Sequence, residues 1–338
     1  MSKTILITGG LGFIGSNFIE VFLDTYPSYK IVNIDKITYA ANKKVSPIFQ
    51  KKKMYHFIQG DICDKELIEK LFKQYEFDGI IHFAAESHVD NSINDPENFI
   101  KTNIFGTYVL LESARKHWKK VENKALIPSQ NRFHHISTDE VYGSLGKTGY
   151  FTEDTAYSPN SPYSASKASS DHLVKSYCNT FGLNGVITNC SNNYGPFQNS
   201  EKFIPTVITK AINNQPIPIY GNGKNIRDWI YVKDHCKAIS MVFFEGKKGE
   251  TYNIGGDCEW ENVQIAEKIC LHLDEVMPKG NGKSYVDQIC FVKDRPGHDH
   301  RYAIDSSKIK NDLNWSVEHD FNASLHETIS WFLQQNDA

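Results

Sequence analysis

The residue types suited to acid–base chemistry lie in one stretch of the chain. An apolar run at residues 133–136 predicts a β-strand, and Thr138, Asp139 and Glu140 follow it directly. Further along, Tyr163 and Lys167 lie four residues apart at a predicted helix start, so they share one helix face. Ligands of an open α/β sheet bind beyond the carboxyl ends of its strands. The stretch therefore indicates proton and hydride transfer on a hydroxylated substrate.

Tyr163 is the candidate general base. A free phenol has a pKa of about 10, and a nearby ammonium group such as that of Lys167 lowers it. A base of this kind can take the proton of a sugar hydroxyl. The plainer interpretation is an amphipathic helix start with an incidental tyrosine, which a Tyr-xxx-Lys pair alone would not exclude. The neighbouring Ser137 and Thr138, together with the nucleotide-type fold predicted below, favour the catalytic interpretation.

The N-terminal segment predicts a dinucleotide site. A β-branched run at residues 3–8 leads into Gly9, Gly12 and Gly15, and helical spacing begins at Phe13. Such glycines allow a tight turn and a close approach of the backbone to a pyrophosphate. Asp35 ends the next predicted strand, where a carboxylate accepts from the ribose hydroxyls and repels a 2′-phosphate. The pattern therefore predicts NAD rather than NADP.

The elements that position these residues alternate between strand and helix. Further apolar strands are predicted at residues 54–59, 78–83 and 183–188. This alternation predicts an α/β fold with a Rossmann-type, doubly wound parallel sheet. We expect an NAD-binding domain of residues 1–192 plus 228–254, and a smaller, discontinuous C-terminal α/β substrate domain of residues 193–227 plus 255–338.

Composition narrows the class of protein. The 338 residues carry a net charge of −3, which gives no electrostatic case for nucleic-acid or membrane partners. We find no signal peptide, no span of apolar residues long enough to cross a bilayer, and no metal-binding motif. The seven cysteines are scattered, odd in number and without a CxxC pair. Reduced thiols in a cytoplasmic protein are the expectation.

Other residues are weaker candidates. Asp61 and Ile62 follow the third predicted strand and are expected to flank the adenine, and the small Ala84 and Ala85 let a cofactor lie close to the chain. His82 is expected in the core. For His88, a role in anchoring its loop and a role in the site are two alternatives of about equal weight. Further candidates are the Asn103 amide toward the cofactor, Lys202 toward phosphate, and Tyr220 stacked on a nucleobase.

With these motifs in place, the chain resembles the extended short-chain dehydrogenases/reductases. Within that family, Thr138-Asp139-Glu140 resembles the nucleotide-sugar 4,6-dehydratases. The likeness runs essentially from end to end and includes the segments DKITYA (35–40), AAESHVD (84–90), TNCSNNYGP (188–196) and DRPGHD (294–299).

The resemblance implies a tightly bound NAD that is regenerated in each turnover. Its expected cofactor contacts are Gly9, Gly12, Phe13, Ile14, Gly15, Asp35, Lys36, Thr38, Asp61, Ile62, Ala84, Ala85, Ser87, Asn103, Tyr163, Lys167 and Asn192. Its expected substrate contacts are Ser87, His88, Thr138, Asn193, Lys202, Pro218, Tyr220, Arg227, Asn262, Arg295 and His298.

The resemblance also implies a reaction. Tyr163 takes the O4 proton as hydride passes from C4 to NAD, with Thr138 hydrogen-bonded to O4. Glu140 then removes the C5 proton, Asp139 donates to the departing C6 oxygen, and hydride returns to C6. Two carboxyl groups in one dry pocket can hold opposite protonation states, as this scheme requires. The alternative is a pair of structural acids that cap the turn before Gly143.

The implied substrate is dTDP-glucose, converted to the 4-keto-6-deoxy sugar and water. A sister enzyme acting on a UDP-, CDP- or GDP-sugar stays open, because thymine and uracil differ by only one methyl group. A 4-epimerase or a decarboxylase is a further alternative, against which Asp139 and Glu140 argue. A protein that only senses the dinucleotide is the non-enzymatic alternative. A homodimer through two long helices is expected from the resemblance.

Overall fold

The computed structural model describes residues 3–118, 120–122, 125–127, 130–294 and 296–336. Its strands are β1 (Thr4–Thr8), β2 (Lys30–Asp35), β3 (Tyr55–Gln59), β4 (Gly79–His82), β5 (Lys120–Glu122), β6 (Ala125–Ile127), β7 (Arg132–Thr138), β8 (Gly185–Cys190), β9 (Asn192–Tyr194), β10 (Ile217–Tyr220), β11 (Ile226–Tyr231), β12 (Thr251–Ile254), β13 (Glu259–Glu261) and β14 (Ile289–Val292).

The α-helices of the described residues are α1 (Phe13–Thr25), α2 (Ser46–Gln50), α3 (Lys65–Gln74), α4 (Val89–Asn94), α5 (Glu97–Phe99), α6 (Thr107–His117), α7 (Pro162–Phe181), α8 (Phe203–Ile212), α9 (Val232–Glu245), α10 (Asn262–Val276), α11 (Ser307–Leu313) and α12 (Phe321–Asn336). A π-helical segment, Ile100–Gly106, joins α5 to α6, and 3-10 turns occupy Asp139–Tyr142 and Tyr285–Gln288.

Seven strands form one sheet in the order β12-β8-β7-β4-β1-β2-β3, and all neighbours are parallel. Side chains alternate between its two faces. Ile5 and Ile7 join a cluster with α1 and α9, whereas Leu6 joins one with α3, α6 and α7. Helices therefore cover both faces, which confirms the predicted doubly wound α/β fold.

Helix α7 starts as its sequence predicts. Ser161 and Ser164 form a capping box, in which each side chain bonds the backbone N–H of the other, and Pro162 occupies the first turn. Proline suits this position because its missing N–H would lack a helical partner anyway. The turn that follows the cap carries Tyr163, so the cap fixes where the phenol enters the site.

The helix that carries the predicted Asn103 is irregular in its first half. The helical path already begins at Glu97 and runs through the π-helical segment before α6 starts at Thr107. The wider turn frees the Asn103 carbonyl, which accepts from the hydroxyl groups of Thr107 at 2.5 Å and Ser170 at 2.6 Å. Since Ser170 lies on α7, the π segment is bonded to the helix of the predicted catalytic pair.

The smaller strands lie toward the C-terminus. β11 pairs with β9 in parallel and with β13 in antiparallel orientation, and β10 pairs with β14 in parallel. Between them, β12 returns to the edge of the large sheet beside β8. The chain thus leaves the large sheet and re-enters it, while the proposed division into two discontinuous domains stays a prediction. Among the described residues, no helix is both long and apolar enough to span a membrane.

Four histidines are buried on or beside the sheet, namely His82, His134, His135 and His235. His82 bonds the hydroxyl groups of Thr8 at 2.7 Å and Thr107 at 3.0 Å, which confirms its expected core position. Burial lowers the pKa of all four imidazoles, to about 3 for His235. They are therefore neutral in the folded protein at pH 7.

We expect acid to unfold the protein through these histidines. The unfolded chain binds a proton at each of them near pH 6.5, whereas the folded chain does not, so their stabilising effect is lost as the pH falls below that value. Each contributes about 1.4 kcal/mol to the difference in unfolding free energy between pH 7.5 and 5.5. Urea unfolding of His235→Gln should show a difference smaller by about that amount.

The exposed His172 provides the matched control. His172→Gln removes a histidine side chain that folding leaves exposed, so it should change the pH dependence less than His235→Gln does. The buried Asp171 and Asp228 have pKa values raised to about 6 by burial and so stabilise the fold toward acid. Both carboxyl groups are present in the wild type and in the two variants, so their contribution cancels when the pH dependences are compared. An unaltered pH dependence in His235→Gln would contradict the prediction.

Candidate active site

A cavity of about 320 Å³ lies at the carboxyl ends of the central strands. Its walls come from the loop after β1, the ends of β2, β4, β7 and β8, the first turns of α7, and the start of α8. The order of strands reverses between β1 and β4, which is where open α/β sheets bind ligands. The cavity therefore lies where the sequence predicted a site.

The glycine loop lets the backbone close tightly under the cavity. Gly9 has φ +70°, and a Cβ there would lie 2.6 Å from the Ala84 backbone. A Cβ on Gly15 would lie 2.5 Å from the Gly9 carbonyl oxygen. Gly12 is the N-cap of α1 and supplies no side-chain cap. The first N–H groups of α1 thus open onto the cavity, an arrangement that favours anions.

Asp35 supports the same loop. Its carboxylate accepts from the backbone N–H groups of Leu11 at 2.9 Å and Ile37 at 2.8 Å. Burial raises the pKa of this carboxyl group, and the two N–H groups oppose the rise. Nearby, burial acts to raise the pKa of Asp61, but its ion pair with Lys36 at 2.8 Å and its bond from the Cys63 N–H together lower it.

The acid pair lies on the turn after β7. Asp139 is buried and Glu140 half-buried, and both line the cavity with Thr138. The Thr138 hydroxyl donates to Asp139 Oδ1 at 3.3 Å and accepts from the Glu140 backbone N–H at 3.3 Å. Burial, and then the negative charge of Glu140, raises the pKa of Asp139 well above its usual range. This shift favours the protonated form of Asp139, the form that can donate a proton.

Tyr163 and Lys167 meet this pair from α7. Lys167 is buried and donates to the Ile136 carbonyl at 2.8 Å, which ties α7 to β7. Burial lowers the pKa of its ammonium group to about 8, against the opposing charge of Asp171. Burial and Glu140 raise the pKa of the Tyr163 phenol, whereas a hydrogen bond with Thr138 lowers it. In the folded protein, the increase in the pKa of Tyr163 that burial causes outweighs the decrease that was expected from Lys167.

Most of the sequence-predicted residues line this cavity. They are Gly9, Gly12, Phe13, Ile14, Gly15, Asp35, Lys36, Thr38, Asp61, Ile62, Ala84, Ala85, Ser87, Thr138, Asp139, Glu140, Tyr163, Lys167, Asn192, Asn193 and Lys202. The Lys202 ammonium donates to the Ser87 carbonyl at 2.8 Å, which joins α8 to the loop after β4.

Two predicted residues between β4 and α6 lie outside the cavity wall. The buried Asn103 amide bonds the backbone of Glu86, at 2.8 Å and 3.0 Å, and the Ser166 hydroxyl at 2.8 Å. It holds two cavity-lining segments together instead of facing the cavity itself. His88 accepts from the Asn91 N–H at 3.3 Å as the N-cap of α4, which is the loop-anchoring arrangement.

The predicted residues from Pro218 onward that the structure describes also lie outside the cavity wall. Arg227 is buried and donates to the carbonyls of Ile226 and Asp299. Tyr220 is exposed, its hydroxyl 3.4 Å from Asp90, and its ring lies 6.1 Å from that of His298. Pro218 lies in β10 and Asn262 begins α10. Arg295 lies outside the described residues.

Several cavity residues were not among those that the sequence predicted. Gln198 and Trp229 enter from the loop after β9 and from β11, whose pairing with β9 is long-range. Glu86 and Cys190 could have been found, because both follow strand ends at the predicted edge. Their types carry no obvious acid–base pattern.

Known proteins resemble this chain along its whole length. The family described as GDP-mannose 4,6 dehydratase matches residues 6–328. The dTDP-glucose 4,6-dehydratase of Salmonella typhimurium is 51% identical over 339 residues, covering 97% of this chain and 92% of that protein. The dTDP-glucose 4,6-dehydratase of Bacillus anthracis, solved with NAD, superposes with a TM-score of 0.87 at 42% identity, covering 99% and 98% of the two chains. The dTDP-glucose 4,6-dehydratase of Streptomyces venezuelae, also solved with NAD, superposes with a TM-score of 0.88 at 37% identity, covering 99% of this chain and 98% of that chain.

We expect Gly15→Ala to destabilise the site and the fold together. The added Cβ would overlap the Gly9 carbonyl oxygen and Gly10 Cα, both backbone atoms with little freedom to move. Urea unfolding should show a loss of about 1–3 kcal/mol. Gly146 has no atom within 4 Å of an added Cβ, so Gly146→Ala should change stability by less than about 0.5 kcal/mol. Equal effects of the two substitutions would contradict this account of the loop.

Proposed function

The chain belongs to the nucleotide-sugar 4,6-dehydratases of the extended short-chain dehydrogenase/reductase family, and we propose that it converts dTDP-glucose to dTDP-4-keto-6-deoxyglucose and water. It is then an NAD-dependent hydro-lyase of deoxysugar biosynthesis. The observation that carries this proposal is the buried Asp139 beside Glu140 in the cavity that also holds Tyr163 and Lys167. Oxidation at C4 alone needs no acid pair, whereas removal of water from C5 and C6 does.

NAD is the cofactor, and the residues present fit it. The uncapped start of α1 and the loop of Gly9, Gly12 and Gly15 form a cradle that side chains would fill, as a pyrophosphate requires. The two Asp35 oxygens each accept one backbone N–H, and each keeps a lone pair for a ribose hydroxyl. We propose that NAD stays bound through the cycle, because the reaction has no net oxidation.

Bound NAD supplies a hydride acceptor that later returns the hydride, and a positive charge that favours the phenolate of Tyr163. Tyr163 takes the proton of O4, and the Thr138 hydroxyl bonds that oxygen. Lys167 adds its ammonium charge from the same helix face. Together these groups oppose the burial that raises the pKa of the phenol.

Elimination uses the acid pair. The new C4 ketone acidifies the C5 proton, and Glu140 removes it. Asp139, held protonated by its burial, donates to the C6 oxygen, which leaves as water. Glu140 gives its proton back to C5 as hydride arrives at C6.

The proton balance requires one transfer inside the site. After the cycle Glu140 is restored, Tyr163 has gained a proton, and Asp139 has lost one. The Thr138 hydroxyl contacts both groups, with Asp139 Oδ1 at 3.3 Å and a hydrogen bond that lowers the pKa of Tyr163. We propose that it passes the proton from the phenol to the carboxylate and so resets the site.

The nucleotide-sugar contacts expected from the sequence are proposals as well. Lys202 and Asn193 line the cavity, whereas Arg227, Tyr220 and His298 are not part of its wall. A second candidate substrate is the UDP-, CDP- or GDP-linked sugar, and comparing turnover of the four nucleotides tests it. We also propose a cytoplasmic location, supported by seven free cysteines and tested by cell fractionation.

The first prediction for the reaction concerns the acid pair. Purified protein given dTDP-glucose and no added cofactor should form a product lighter by one water, detected by mass spectrometry. Asp139→Asn and Glu140→Gln should each lower the rate about 10²–10⁴-fold. In D₂O, Asp139→Asn should still exchange the C5 hydrogen of the substrate, because Glu140 is intact, whereas Glu140→Gln should not.

Tyr163→Phe is the control, since it should lose both dehydration and exchange. Formation of dTDP-galactose at unchanged mass would show a 4-epimerase and overturn the proposed role of the acid pair. Absence of turnover with all four nucleotide sugars would leave a dinucleotide-sensing protein as the better account.

We further propose a homodimer formed by the helices around α6 and α7. Large apolar side chains are exposed there, among them Ile100, Phe105 and Phe181. Ile100→Glu should convert a dimer to a monomer of 38.5 kDa in sedimentation equilibrium, because a buried charge opposes association. Leu271 on α10 is equally exposed, at 56%, and Leu271→Glu should leave the dimer intact. A monomeric wild type would contradict the proposal.

A further inference from the structure

The structure contains a buried carboxylate that the mechanism above does not use. Asp171 is fully buried and lies one turn after Lys167 on α7. Its Oδ2 accepts from the hydroxyl groups of Ser137 and Tyr157, both at 2.9 Å. Its Oδ1 lies 3.3 Å from His135 Nε2. The carboxylate thus lies behind the cavity, between α7 and β7.

His135 lies between this carboxylate and Lys167. Its Nε2 atom lies 3.4 Å from the Lys167 ammonium group, nearly the same distance as from Asp171. The ring is buried, and its Nδ1 has no hydrogen-bond partner among the described residues. The same imidazole nitrogen thus lies close to both groups, which places the ammonium group and the carboxylate near each other in the core. Because the ring is neutral, this nitrogen can bond only one of the two groups at a time, so the two groups interact through their charges.

A charge partner matters here because Lys167 is out of water. Desolvation lowers the pKa of an ammonium group, and an opposite charge nearby raises that pKa again. Burial lowers the pKa of Lys167, and the charge of Asp171 makes the largest contribution that opposes this effect. Burial raises the pKa of Asp171, and the charge of Lys167 makes the largest contribution that opposes that effect.

The other titratable groups around Asp171 do not replace it. They are Lys175 on α7, His135 on β7, His82 on β4, Tyr157 in the loop before α7, Tyr142 in the 3-10 turn, and Cys190 on β8. The histidines are neutral, and burial raises the pKa of the phenols and the thiol. Asp171 is accordingly the group that supplies negative charge to Lys167 near neutral pH.

We propose that Asp171 is a positioning residue that keeps Lys167 protonated and holds the catalytic end of β7 in place. It acts on the ammonium group through its charge, and on Thr138 through the adjacent Ser137. The proposal rests on the proposed function, because Lys167 is useful as a cation only if Tyr163 works as a base.

Asp171→Asn tests the charge at nearly constant size. Without its partner, Lys167 should lose its proton at lower pH, about one unit below the wild-type value. The rate of dTDP-glucose dehydration should then fall little at pH 6, and the loss should grow to about tenfold toward pH 9. Asp171→Glu should restore the wild-type pH profile. Ser137→Ala removes one hydrogen bond to the carboxylate but leaves its charge, so it should not move the basic limb.

Tyr157→Phe provides a second test if Asp171→Asn does not fold. It removes a donor to the carboxylate and raises the pKa of Asp171, so Asp171 competes more strongly with Lys167 for the proton. The rate of Tyr157→Phe should therefore fall little at pH 6 and more at pH 8. A rate loss of equal size at every pH in both variants would overturn the proposal.

A substrate-free measurement separates this proposal from the proposed function. The ¹³Cε resonance of Lys167, assigned by its disappearance in Lys167→Arg, should titrate near pH 8 in the wild type. In Asp171→Asn it should titrate at lower pH. An unshifted titration would overturn the role of Asp171, whereas failure of dehydration with a shifted titration would overturn only the proposed reaction.

Discussion

The contact on which the active site depends is the docking of α7 onto β7. The Lys167 ammonium group bonds the Ile136 carbonyl, the Ser137 hydroxyl bonds Asp171, and both bonds lie in the core. Buried polar bonds of this kind fix geometry strongly, because breaking one leaves an unsatisfied group in a low dielectric. Through them a helix face that carries the candidate base is held against a strand end that carries the candidate acids.

The same burial sets the protonation states. It raises the pKa of Asp139 and lowers that of Lys167, so it pushes an acid and a base toward their neutral forms. For Asp139 this is useful, because a proton donor must hold its proton. For Lys167 the effect is adverse and needs an opposing negative charge. One dry environment thus suits one group directly and the other only with a partner.

The sequence predicted the parts of the site that local spacing encodes. The glycine loop, Asp35, and the Tyr163–Lys167 pair depend on turns, strand ends and one helix face, all visible over a few residues. Trp229 and Gln198 could not be predicted, because they reach the cavity through the long-range pairing of β9 with β11. The π segment was also missed, since a shift in hydrogen-bond register leaves little trace in apolar spacing. Asp171 was visible at helical spacing from Lys167, but its partners come from β7 and a loop.

The late return of β12 has a consequence for synthesis on the ribosome. Strand β8 ends at Cys190, whereas β12, its neighbour at the edge of the sheet, ends only at Ile254. The roughly 60 residues between these two ends take several seconds to translate. During that interval the nascent sheet presents β8 as an unpaired edge, the form of sheet most open to pairing with another chain. Nascent chains on neighbouring ribosomes can therefore associate through β8 until β12 covers it.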